Sequence, residues 1–104
     1  MRILFDQGTP RPLRNFLTEH QVRTPSQLGW SELENGDLLA AAEGAFDLFI
    51  TTDKNLRYQQ NLRGRKLIIL VLPLPDWNVV RLHTDKILAT VTSAKPGEYI
   101  EITW

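Results

Sequence analysis

The chain has 104 residues, of which 42% are hydrophobic and 23% charged, with a formal net charge of zero. That is the size and balance of one globular domain and excludes an intrinsically disordered chain. It has no cysteine, which excludes a disulfide framework and any thiolate metal site. Its longest apolar run, Leu67 to Leu72, is too short to span a bilayer, and the opening "MRILFD" has no signal-peptide pattern, so a soluble cytoplasmic protein with no membrane partner is expected.

"RILFD" reads as a first strand, apolar on both faces. Pro10 and Pro12 then open a helical pattern with Leu13, Phe16 and Leu17 on one side. "HQVRTP" is a weak second strand stopped by Pro25, and "SQLGWSELENG" is loop-like, punctuated by Gly29 and Gly36. From Asp37, "DLLAAAEGAF" is rich in the best helix formers, with Gly44 as the expected stop. "DLFIT" is a third strand, and Asp53 begins a further helical stretch that ends near Gly64. "KLIILVL" is continuously apolar and β-branched, the profile of a central parallel strand. Val80, His83, Ile87 and Val91 recur at helical spacing and predict one last helix from Val79 to about Ala94. After the Pro96-Gly97 turn, "EYIEITW" alternates as a half-exposed edge strand would. Strands alternating with helices predict a single small α/β domain, with a mostly parallel open sheet, helices on both faces and an edge strand at the C-terminal end.

Charge is segregated along the chain. Glu32, Glu34, Asp37, Glu43, Asp47 and Asp53 follow one another with no Lys or Arg between them. Lys54, Arg57, Arg63, Arg65 and Lys66 then follow with no acid. The basic run reads either as a track for nucleic-acid phosphates or as a solvated face.

Ligands of parallel sheets bind outside the carboxyl ends of the strands. Asp6 ends the first strand, Asp53 follows the third, and Asp37 opens the helix that feeds the third. If the first and third strands are neighbours, Asp6 and Asp53 come within a few ångströms, since adjacent strands are ~4.8 Å apart. Carboxylates so close repel unless a cation lies between them, and an all-oxygen site suits magnesium or manganese. The chemistry suggested is metal-assisted attack on a phosphodiester. Aspartate is also among the best helix caps, and each of the three precedes a predicted helix, so capping is the competing reading.

In order along the chain, "MRILFDQGTP", "LENGDLLAAA", "FDLFITTDKNL" and "KPGEYIEI" resemble the PIN-like family of compact bacterial proteins, which are similar to VapC-type toxin nucleases and are often encoded in toxin–antitoxin modules. The resemblance implies a small parallel-sheet α/β fold and a ribonuclease dependent on Mg²⁺ or Mn²⁺. It implies Asp6, Asp37 and Asp53 as catalytic metal ligands. Thr51 and Asn55 would support the turn, and Lys54 would neutralise Asp53 when no metal is bound. Arg57, Arg63, Arg65 and Lys66 become the candidates for RNA phosphates, and an antitoxin protein and a second copy of the chain are the candidate protein partners. The chain reads Asp6-Gln7-Gly8 where the subfamily usually reads Asp-Glu-Asn, one carboxylate fewer, which points to one metal ion rather than two. The rival function is a non-catalytic module of the same class that binds RNA or a protein partner.

No dinucleotide or P-loop glycine pattern is present, nor a nucleophilic triad signature. His20 is expected exposed at a helix end, Trp77 over the core edge, and Trp30 and Trp104 in core or subunit packing, with base stacking as their alternative.

Overall fold

A computed structural model describes residues 1–56 and 64–104. Five strands form one sheet: β1 (Arg2–Phe5), β2 (Gln21–Arg23), β3 (Leu48–Thr51), β4 (Ile68–Val71) and β5 (Tyr99–Glu101). Their order across the sheet is β2-β1-β3-β4-β5, and every neighbouring pair is parallel. Among the described residues, three α-helices accompany them: α1 (Asn35–Ala45), α2 (Trp77–Val80) and α3 (Thr84–Ser93). Short 3₁₀ segments lie at Arg11–Phe16, Ser26–Leu28 and Arg81–His83.

β3 and β4 are buried at every position, as expected of central strands covered on both sides. The side-chain period of two divides the apolar residues between two cores. Ile3, Phe5, Leu48, Ile50, Ile68 and Leu70 pack with Leu13, Leu17, Val80, Ile87 and Val91 on one face. Leu4, Phe49, Ile69 and Val71 pack with Leu38, Leu39, Ala42 and Leu56 on the other. Helical segments therefore cover both faces of a parallel α/β sheet.

Local geometry departs from the expected pattern in four places. The segment after Pro10 closes as a 3₁₀ turn, with Leu13 N–H donating to the Pro10 carbonyl and Leu17 N–H to that of Arg14. Leu13 and Leu17 are buried, whereas Phe16 stays 46% exposed and packs on Trp77 at 5.8 Å between ring centroids. The helix α1 begins at Asn35, inside the stretch read as loop, and runs through Gly44, where an added Cβ would meet nothing. The predicted last helix is divided because His83 leaves helical geometry (φ −125°, ψ 20°). Its ring stacks instead on Trp104, 4.4 Å away and 7° from parallel. His20 does not end a helix. It lies in the turn before β2 with Nδ1 3.1 Å from the Met1 amine, and burial, then that positive charge, pushes its pKa below the ordinary value.

The amino ends of the strands are tied by polar contacts. The Asp47 carboxylate accepts from the Arg2 backbone N–H (2.7 Å) and from its guanidinium, while Asp47 N–H donates to the Arg2 carbonyl. Glu43 accepts from the N–H groups of Lys66 and Leu67 just before β4. At the turn into β5, Gly97 takes φ +83°, and a Cβ there would lie 3.0 Å from the Arg65 carbonyl oxygen, so glycine answers both demands.

Candidate functional site

The strand order reverses between β1 and β3: the chain runs from β1 outward to β2, then returns to the far side of β1. In doubly wound sheets the ligand crevice opens outside the carboxyl ends of the strands at that reversal. Asp6 and Asp53 both lie there. Since Leu4 and Phe49 face α1, the period of two carries Asp6 and Thr51 to the α1 side as well. The backbone locks the two strand ends together, with Asp6 N–H and the Thr9 hydroxyl both donating to the Ile50 carbonyl at 2.8 Å.

Thr51 connects the two aspartates. Fully buried, its hydroxyl donates to Asp6 Oδ2 (2.8 Å) and accepts from Asp53 N–H (3.1 Å). The other Asp6 oxygen, Oδ1, accepts from Gln7 N–H (2.9 Å). Asp53 Oδ1 accepts from Asn55 N–H (3.0 Å), closing a tight turn, and Oδ2 accepts from the Asn35 side-chain amide (3.3 Å). Both aspartates are half-buried. Each of the four carboxylate oxygens thus holds one hydrogen bond, and an ionised carboxylate has about four acceptor sites, so each retains acceptor capacity.

Gly8 permits the close approach of the loops that follow β1 and β3: a Cβ there would lie 3.0 Å from the Thr52 hydroxyl. Asp6 lines a cleft of about 370 Å³ with Gln7, Thr9, Arg11, Thr24, Ser26 and Ser31, and with Pro25. The Gln7 side chain spans one end, donating to the Ser31 carbonyl (3.2 Å).

The remaining expected site residues are dispersed. Asp37 is exposed in the first turn of α1. It lies two residues beyond Asn35, and residues so spaced on a helix do not share a face. Lys54 is exposed and lines a small cleft with Val71, Pro73 and Glu101 at the β4–β5 side. It makes no ion pair with Asp53; among the described residues the ion pair found is Arg2–Asp47. Arg65 and Lys66 precede β4, at the amino ends of the strands, where Lys66 lines a cleft with Met1, Arg2 and Asp47. Lys66 therefore stands at the opposite ends of the strands from Asp6 and Asp53. Arg57 and Arg63 lie outside the described residues.

Asn35 and Arg11 were the residues that sequence patterns did not single out. Asn35 stood in an Asn-Gly pair that reads as a turn, and Arg11 stood between two prolines that read as a helix start. Among the described residues, no group of three or more His, Cys, Asp or Glu is arranged to hold a metal ion. What Asp6 and Asp53 offer fits a hard divalent cation of the magnesium type, which keeps several waters and binds through one or two carboxylates plus phosphate. It does not fit a cation that needs an all-protein cage.

No family model, curated protein or solved structure matches the chain. The functional reading therefore stands on the geometry at the strand reversal and on the motif resemblance.

Proposed function

We propose that the chain is a metal-dependent ribonuclease of the PIN-like class, acting in the cytoplasm as the toxin of a toxin–antitoxin pair. The observation that supports it is the coupling of Asp6 to Asp53 through the buried Thr51 hydroxyl, at the strand reversal where ligands of such sheets bind. The toxin role and the antitoxin partner rest on the sequence resemblance.

A magnesium or manganese ion at these carboxylates would neutralise phosphate charge and lower the pKa of water. The chain's own residues provide the frame. Thr51 fixes the rotation of the Asp6 carboxylate. The Asn55 N–H and the Asn35 amide hold Asp53 from two sides. Because the frame is formed before substrate arrives, little reorganisation is needed at the moment of reaction.

The test is cleavage of a mixed-sequence RNA with Mg²⁺ or Mn²⁺, using EDTA and Asp53→Asn as controls. Removing a ligand should cost rate more than affinity, so Asp53→Asn is expected to abolish cleavage while RNA binding is kept or slightly strengthened. Persistent cleavage by that variant would point to a contaminating nuclease and overturn the assignment. Millimolar Mn²⁺ should also raise the melting temperature by mass action, and Asp6→Asn should reduce the gain.

The second reading, a binding module without turnover, is favoured by one observation. Asp37 is exposed, which leaves two carboxylates joined at the reversal. It predicts no cleavage by either protein in any divalent metal, with Asp53→Asn changing affinity alone.

A further inference from the structure

The cleft beside Asp6 has its own chemistry. Arg11 is exposed, and its guanidinium makes no hydrogen bond or ion pair among the described residues. It lines a pocket together with Asp6, Gln7, Thr24, Ser26 and Ser31, and with Thr9 and Pro25. The Thr24 and Ser26 hydroxyls touch each other at 3.1 Å, and a hydroxyl can both donate and accept, so each keeps capacity for a ligand. The pocket opens at the carboxyl ends of β1 and β2, directly beside the aspartate that faces the strand reversal. At about 370 Å³ it lies at the small end of ligand pockets. No aromatic ring lines it and its one apolar lining residue is Pro25, so a nucleobase would find nothing on which to stack.

A guanidinium, hydroxyls and a primary amide, with the Asp6 carboxylate lining the same cleft, match a group that is anionic at one end and carries hydroxyls, which can donate to a carboxylate, at the other. We infer that this cleft seats the ribose and phosphate of a nucleotide neighbouring the scissile one, with the phosphate on Arg11 and the ribose hydroxyls on Thr24, Ser26 and Ser31. The inference rests on the nuclease reading for the position of the scissile bond, but the binding claim can be tested without it. Among the described residues it is Arg11, on the β2 side, that shares this cleft with Asp6, whereas Arg65 and Lys66 precede β4. Recognition by sugar and phosphate carries no base information, so binding is indifferent to sequence and sensitive to the 2′-hydroxyl.

The experiment measures equilibrium binding of a short fluorescein-labelled single-stranded RNA in EDTA, where no cleavage occurs, by anisotropy across a salt series. Arg11→Ala is expected to weaken binding about tenfold at low salt, as a lost charge-assisted hydrogen bond does. It should also reduce the salt slope by ~0.7, one phosphate contact. Ser26→Ala with Ser31→Ala should weaken RNA binding but leave binding of the matching DNA strand unchanged. Arg11 is exposed, so an unchanged melting temperature for its variant is the folding control. An unaltered RNA affinity and slope in Arg11→Ala would overturn the inference, even if Asp53→Asn abolished cleavage. Equal binding of RNA and DNA by the native chain would overturn its ribose half. A tenfold loss on Arg11→Ala in a protein that never cleaves would support the cleft and count against the nuclease.

Discussion

Thr51 does two jobs with one hydroxyl, donating to Asp6 and accepting from Asp53 N–H. Valine has nearly the same shape and can do neither. Thr51→Val should therefore strand a half-buried amide and cost about 2 kcal/mol in urea unfolding, and Thr51→Ser should recover most of that. A valine variant as stable as the native chain would show that the hydroxyl is not a structural link. Asp6 and Asp53 were legible in the sequence because a carboxylate at the end of an apolar strand is a local pattern. Asn35 was not, because its partner lies 18 positions away and its own neighbourhood reads as a turn. The same limit hid Arg11, whose significance comes from Thr24, Ser26 and Ser31 folding over beside it.

Strands were more legible than helices here, for a physical reason. A four-residue strand buried on both faces needs only a run such as "IILV", whereas helix ends depend on contacts from elsewhere. His83 is an example: the ring that stacks on it, Trp104, lies beyond β5. Between elements, the pairing of β1 with β3 is secured at its amino end by Asp47. The Arg2 backbone N–H first, and the Arg2 guanidinium second, hold the Asp47 carboxyl below its usual pKa. A carboxyl held low in the folded state stabilises when ionised. That contribution is complete above the ordinary value of about 3.9 and is lost as pH falls through the lowered one. Because the pair is substantially exposed, the effect is modest. Asp47→Ala is expected to cost about 1 kcal/mol near pH 7, with the difference from the native chain shrinking below pH 4. Denaturant melts at both pH values would measure it, and a difference that grew in acid would contradict the account.

On the scale of the molecule, parallel alignment gives the sheet two unlike ends. The amino ends carry the Arg2–Asp47 and Glu43 ties, and the carboxyl ends carry Asp6, Asp53 and the Arg11 cleft. The same alignment has a consequence in time. Paired residues such as Arg2 with Gln21, Ile3 with Leu48, Leu48 with Ile68, and Ile69 with Tyr99 are distant along the chain. Parallel neighbours cannot be joined by a two-residue hairpin, so no part of this sheet can zip from a local turn. Each pairing must first meet the entropy of closing a long loop, and β1 must find partners on both sides before the two cores can close. Refolding should then take milliseconds to seconds in spite of the small size, with core substitutions such as Ile50→Ala slowing it. Stopped-flow fluorescence of the tryptophans would follow it, and a relaxation in microseconds would mean that helices alone set the pace. During that interval β3 and β4, both buried throughout in the native sheet, are unpaired, and it is then, rather than in the native state, that the chain is most exposed to aggregation.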